Sequence, residues 1–162
     1  MITLVLGGAA SGKSSIAEGI VSSLGRDDVV YVATGVVTDD DMAARVAKHK
    51  LRRPVTWSTV ETNDLADALS TIDAGRPVLV DSLGTWVAHT DGFAVDVPAV
   101  QEVLLCRTGR TVLVSDEVGL GVHPETEVGR RFRDALGSVN RHVADIADEV
   151  LLVVAGRTLR VH

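Results

Sequence analysis

Residues 2–15 read ITLVLGGAASGKSS, an apolar run that breaks into two glycines and then into Gly12-Lys13-Ser14-Ser15. ITLVL has the length and composition of a strand buried on both faces, the form taken by central strands of parallel sheets. Ser14–Leu24 carries Ile16, Ile20 and Leu24 at helical spacing, which predicts a helix with those residues inward. A glycine-rich turn of the form Gly7-x4-Gly12-Lys13-Ser14 between strand and helix gathers backbone N–H groups and a helix N-terminus around one point. That arrangement suits the β-phosphate of a nucleoside triphosphate, with Lys13 reaching the β and γ oxygens and Ser14 a ligand for Mg2+. Gly7, Gly8, Ala9, Ala10, Ser11, Gly12, Lys13 and Ser14 form the first candidate site.

The remaining bulk properties narrow the class. With 162 residues, a single domain spanning 1–162 is expected, large enough for a substantial core. Apolar content is 46% with 3% aromatic, so Val, Leu, Ile and Ala fill that core, as in a parallel sheet covered by helices on both faces. A net charge of −6 argues against nucleic acid as a partner. Cys106 stands alone, which excludes a disulfide framework and a clustered thiolate metal site. Neither a leader-like segment nor an apolar stretch of the ~18 residues a membrane span needs is present, and a cytoplasmic location without a membrane span is the expectation.

Further elements follow from pattern. Val29–Ala33 predicts a second buried strand, Met42–Lys50 a short basic helix, and Val55–Val60 an extended segment in which Trp57 packs. Leu65, Leu69 and Ile72 predict a helix capped by Thr62 or Asn63, ended at Gly75-Arg76-Pro77 before a strand at Val78–Asp81. Residues 84–97 lack clear periodicity and read as a loop. Val100, Val103 and Leu104 mark a helix ending near Thr108-Gly109, and Thr111–Ser115 a strand. Pro124 followed by Glu125 and Glu127 reads as a helical first turn, and Val128, Phe132, Leu136, Val139, Val143 and Ile146 form one long apolar face. Val150–Val154 is the last central strand and Thr158–Val161 an antiparallel edge. The expected fold is α/β: a three-layer, P-loop NTPase-like arrangement with a mostly parallel sheet and a small antiparallel C-terminal element.

Acidic residues at strand ends are the second group of candidates. Asp81 ends the run Val78-Leu79-Val80, and Asp116 and Glu117 end the next strand, at the edge where open α/β sheets receive ligands. Asp81 either holds Mg2+ or caps a helix; Glu117 either adds a carboxylate to the site or answers a helix dipole. The third group is Arg45-Val-Ala-Lys48-His49-Lys50-Leu51-Arg52-Arg53, five cations around one imidazole in an otherwise acidic chain. It is either a solvated helix face or an anion-binding lid over a triphosphate. Cationic neighbours favour the neutral imidazole, leaving a His49 nitrogen as base or nucleophile. The other histidines make no metal-binding pattern, and no Asn-Lys-x-Asp guanine motif is present.

GGAASGKSS, YVAT at 31–34, DDDMAARVAKHKLRRPVTW at 39–57, VLVDSLGTWV at 78–87, VLVSDEVGLGVHPE at 112–125 and GRRFRDALGSVNRHVADIADEVLLVVAG at 129–156 occur in order along nearly the whole chain. Together they resemble the bifunctional adenosylcobinamide kinase/adenosylcobinamide-phosphate guanylyltransferase family of cobalamin biosynthesis. The resemblance implies phosphorylation of adenosylcobinamide by ATP or GTP, then GMP transfer from GTP to adenosylcobinamide phosphate through a guanylyl-histidine. It places that histidine at His49, in an H-x-x-x-R-P arrangement ending at Arg53 and Pro54. It also implies Lys13 as a catalytic group, and Thr34, Gly35, Lys50, Leu51, Arg52, Arg53, Glu61 and Leu83 at the nucleotide site. A homotrimer with active sites near subunit boundaries is implied as well. Four departures stand out: Lys48 where the family often has a second histidine, Ala10 for a loop arginine, Asp116 for an asparagine, and a shorter region around 88–98.

Overall fold

The computed structural model describes residues 1–35 and 53–162. The basic helix expected at 42–50, and with it His49, Lys50, Leu51 and Arg52, lies outside the described residues. The glycine-turn strand β1 (Ile2–Gly7) is central: it pairs in parallel with β5 (Thr111–Asp116) on one side and β6 (Glu149–Val154) on the other. Beyond β5 lie β4 (Val78–Asp81), β2 (Val30–Ala33) and β3 (Ser58–Glu61), all parallel. Beyond β6 lies β7 (Arg157–Arg160), antiparallel, so the order is β3-β2-β4-β5-β1-β6-β7. The mostly parallel sheet with an antiparallel C-terminal edge is the expected one.

Alternation along the strands divides the core into two. Leu4, Val32, Val80 and Leu113 face α2 (Leu65–Thr71), α3 (Leu83–His89), α4 (Val97–Cys106) and α5 (Glu127–Ile146). Val5, Tyr31, Leu79, Val112 and Val114 face the opposite way, against α1 (Lys13–Ser22) and Trp57, which packs as expected. On α5, Leu136, Val139 and Val143 are buried as the period requires, while Val128 in its first turn is exposed. On α1 the fully buried residues are Ala17 and Val21; Ile16 and Ile20 flank them and Leu24 lies beyond the helix, exposed. Ile16 and Ile20 thus pack against the core as expected, with Ala17 and Val21 at the centre of the buried face, and Leu24 departs from it.

Three local expectations are corrected. Residues 84–97 are not a loop: α3 and a 3-10 turn at Asp91–Phe93 occupy most of them, and α4 begins at Val97. Leu83, Trp86 and Val87 bury one side of α3, and Ser82 and Thr85 cap it reciprocally, with Ser82 Oγ accepting from the Thr85 N–H and Thr85 Oγ1 from the Ser82 N–H. Two turns, an interior glycine and threonine in place of the usual Glu or Gln weaken the sequence signal. α2 is capped by Asp64, whose Oδ1 accepts from the Asp67 N–H at 3.0 Å, and not by Thr62 or Asn63; Thr62 Oγ1 accepts from the Asp64 N–H one step earlier. α5 starts after its cap Thr126, three residues beyond Pro124, because the threonine hydroxyl serves the Gly129 N–H.

One buried cation organises the far end of the sheet. Arg107, 7% exposed, follows α4 and donates to the carbonyls of Leu69, Ile72, Asp73 and Arg76 and to Thr111 Oγ1. Burial lowers its pKa from the ordinary guanidinium value, opposed by the nearby Asp73 charge. In Arg107→Met the Leu69, Ile72 and Arg76 carbonyls lose this donor while the Asp73 carbonyl keeps the Arg76 N–H, and a loss of about 3 kcal/mol of stability is expected from the buried acceptors. The urea midpoint measures it; an unchanged midpoint would show that the carbonyls find water instead.

Candidate active site

The carboxyl ends of β1, β2, β4 and β5 share one edge, where Gly7 is level with Asp116 and Ala33 with Asp81. From Gly7 the chain turns through residues 8–12 into α1. Gly12 precedes that helix with φ +94°, a left-handed conformation that strains any residue with a side chain. The N-cap is Gly12, which has no side chain to cap α1. The Gly156 N–H, in the β6–β7 turn, donates to the Ser11 carbonyl at 2.8 Å and braces the loop from outside. Ser11 Oγ is buried and has no hydrogen-bond partner among the described residues.

Lys13 Nζ donates to the Gly8 carbonyl at 3.2 Å and forms an ion pair with Asp116 Oδ1 at 2.6 Å. Ser14 Oγ donates to Asp81 Oδ1 at 3.4 Å, and the Tyr31 hydroxyl donates to Asp81 Oδ2 at 2.9 Å. Burial first, and then the Asp81 charge, pushes the Tyr31 phenol well above its ordinary range, with Arg53 opposing, so the hydroxyl stays a donor. Arg53 lies over the Tyr31 ring, its guanidinium carbon 3.6 Å from the centroid, a cation–π contact. One aromatic ring thus connects the end of the basic segment to the Asp81 carboxylate.

The glycine-turn residues, Ser14 and Asp81 lie together at this edge. Glu117 also lies at this edge, but its Oε1 accepts from the Gly119 N–H at 2.6 Å and shapes the following turn. Thr34 is fully buried, with Oγ1 on the Ser82 carbonyl at 2.5 Å and beside Thr85 Oγ1 at 2.7 Å, so its hydroxyl ties β2 to the start of α3. Gly35 follows it, part-buried. The Leu83 side chain is fully buried in the core, leaving its backbone at the start of α3 as the part nearest the edge. Glu61 ends β3 level with Ala33 and is exposed.

Two residues at this site escaped the sequence reading. Tyr31 was visible only as the single tyrosine within an apolar strand. Asn140 lies among Leu136, Val139 and Val143 on the apolar face of α5, a polar residue on a buried stripe. Its Oδ1 accepts from Ser115 Oγ at 2.6 Å and its Nδ2 donates to the Asp116 carbonyl at 3.1 Å, pinning the tip of β5.

No group of three or more His, Cys, Asp or Glu suited to a metal occurs among the described residues. Ser14 and Asp81 offer two hard oxygens beside the loop, which fits Mg2+, an ion that takes few protein ligands and completes its shell with phosphate and water. No helix among the described residues is long and apolar enough to cross a membrane.

Comparison with known proteins adds to this geometry. Solved structures share the fold at low identity: an ATPase of a bacterial type III secretion system (TM-score 0.57, 16% identity, 93% of this chain and 51% of that one). The flagellar accessory protein FlaH of Methanocaldococcus jannaschii is another (TM-score 0.51, 13% identity, 97% and 74%). The bifunctional adenosylcobalamin biosynthesis protein CobP of Pseudomonas aeruginosa is 40% identical over 166 residues, 96% of this chain and 94% of that protein. The bifunctional adenosylcobalamin biosynthesis protein CobU of Salmonella typhimurium is 37% identical over 177 residues, 96% and 97%. A family model described as cobinamide kinase / cobinamide phosphate guanyltransferase matches residues 3–161, and with the braced loop and its sheet-edge carboxylates the chain belongs to that bifunctional enzyme family.

Proposed function

We propose that this chain phosphorylates adenosylcobinamide with ATP or GTP and then joins GMP from GTP to the product, using His49 as the guanylyl carrier. The observation that carries the reading is the convergence of Lys13, Ser14 and Asp81 on the glycine turn, inside a chain of this family. In the first reaction the acceptor hydroxyl oxygen attacks the γ-phosphorus and the bond to the β-phosphate oxygen breaks, releasing a nucleoside diphosphate. Lys13 and the loop amides stabilise charge on the phosphoryl oxygens. In the second, a His49 ring nitrogen attacks the α-phosphorus of GTP and pyrophosphate departs. The phosphate oxygen of the corrinoid then attacks that phosphorus, the N–P bond breaks, and the imidazole is regenerated.

Ser14 and Asp81 would hold Mg2+, which when bound neutralises phosphate charge. Tyr31, donating to the second Asp81 oxygen, fixes the carboxylate's rotation toward Ser14. Asp81→Asn is expected to raise the Mg2+ concentration for half-maximal turnover by about tenfold; an unchanged metal response would remove Asp81 from this role. The whole reading is tested by following adenosylcobinamide with GTP labelled at the α- or the γ-phosphate. Label from the γ position is expected on the monophosphate product, and label from the α position first on protein and then on the diphosphate-linked product. Nucleotide binding with neither transfer would overturn it.

A further inference from the structure

Among the described residues, Asp81, Asp116 and Glu117 lie at the ends of β4 and β5, and their partners differ in kind. Asp81 meets Ser14 and Tyr31, and Glu117 meets a backbone N–H of its own turn. Asp116 alone among these three is paired with the ammonium that a triphosphate needs.

The position of Asp116 is built from several directions. It ends the strand between β1 and β4, level with Gly7, and Asn140 holds its carbonyl. A Cβ on Gly84 would lie 2.4 Å from Asp116 Oδ2, so the missing side chain there lets the carboxylate rest against the first turn of α3. The Lys13 and Asp116 side chains are 13% and 32% exposed, which leaves their attraction only partly weakened by water.

We propose that Asp116 competes with phosphate for Lys13 Nζ, setting the affinity of the loop for nucleotides and hastening the departure of nucleoside diphosphate and pyrophosphate. This rests on the reading of Lys13 as a phosphate ligand. A triphosphate carries more charge and engages more of the loop amides than either product does, so it prevails over the carboxylate where a product is less able to. Asp116 is thus a positioning residue, acting through Lys13.

The test is titration calorimetry with GTP, GDP and pyrophosphate on Asp116→Asn, Lys13→Ala and the double variant. Asp116→Asn is expected to bind each ligand about tenfold more tightly, with kcat and KM falling together as release slows. Unchanged or weaker binding overturns the proposal. So does a gain that persists undiminished in the Lys13→Ala background, since general repulsion would then explain it. If Lys13→Ala binds GTP as well as the parent, the loop reading itself fails, and the proposal with it. If Lys13→Ala weakens GTP but Asp116→Asn tightens nothing, only the proposal fails. A second measurement needs no nucleotide: the chain has three lysines, and acylation followed by mass spectrometry is expected to show Lys13 gaining reactivity relative to Lys48 and Lys50 in Asp116→Asn. No gain there overturns the pairing.

Discussion

Alanine at position 49 is expected to reduce GMP transfer from GTP by at least about 10^4-fold, the scale on which a covalent route is lost with its nucleophile. Phosphorylation of adenosylcobinamide should survive within about threefold, because the γ-phosphoryl transfer uses the glycine turn and needs no protein-bound intermediate. Measured together, the two half-reactions make the variant its own control for folding. A protein adduct stable to denaturation, acid-labile as a phosphoramidate is, should form in the parent and be missing in His49→Ala. Normal guanylylation by the variant would move the nucleophile elsewhere.

Lys13→Ala is expected to act on both reactions. Its ammonium sits beside the Gly8 carbonyl, within the turn that α1 and the β6–β7 turn hold in place. Removing a charge aimed at phosphoryl oxygens costs about 10^2- to 10^3-fold in kcat/KM, by analogy with other groups positioned toward developing charge. Assaying the kinase step with cobinamide and the transfer step with the purified monophosphate separates the losses. Equal losses would fit one triphosphate seat serving both reactions; a loss confined to one would call for two seats.

Much of this arrangement was legible in residues alone because the determining interactions are local. Strand, turn and helix at 2–22 follow from an apolar run, two glycines and a helical period, none of which needs a distant partner. The long face of α5 was readable for the same reason. What the sequence hid depends on contacts across the chain. The α2 cap is a local exception, in which Asp64 serves the Asp67 N–H while Thr62 is bonded to the Asp64 N–H. The short α3 draws its stability from burial of Leu83, Trp86 and Val87 and from Thr34, just after β2 and nearly fifty residues earlier. At the site, Lys13, Ser14 and Asp81 announced themselves by type and spacing. Tyr31 and Asn140 did not, since a phenol in a strand and an amide on a helix carry no signal until Asp81 and Asp116 are placed beside them.

The brace between Gly156 and Ser11 has a consequence for how the molecule comes into being. The phosphate turn is among the first segments a ribosome releases, yet the strands on either side of it arrive only with residues 111–116 and 149–154, and its brace later still. Such long-range closure is slow relative to local helix formation. A nascent chain therefore completes the sheet and the brace around the glycine turn only once residues 149–156 have been made.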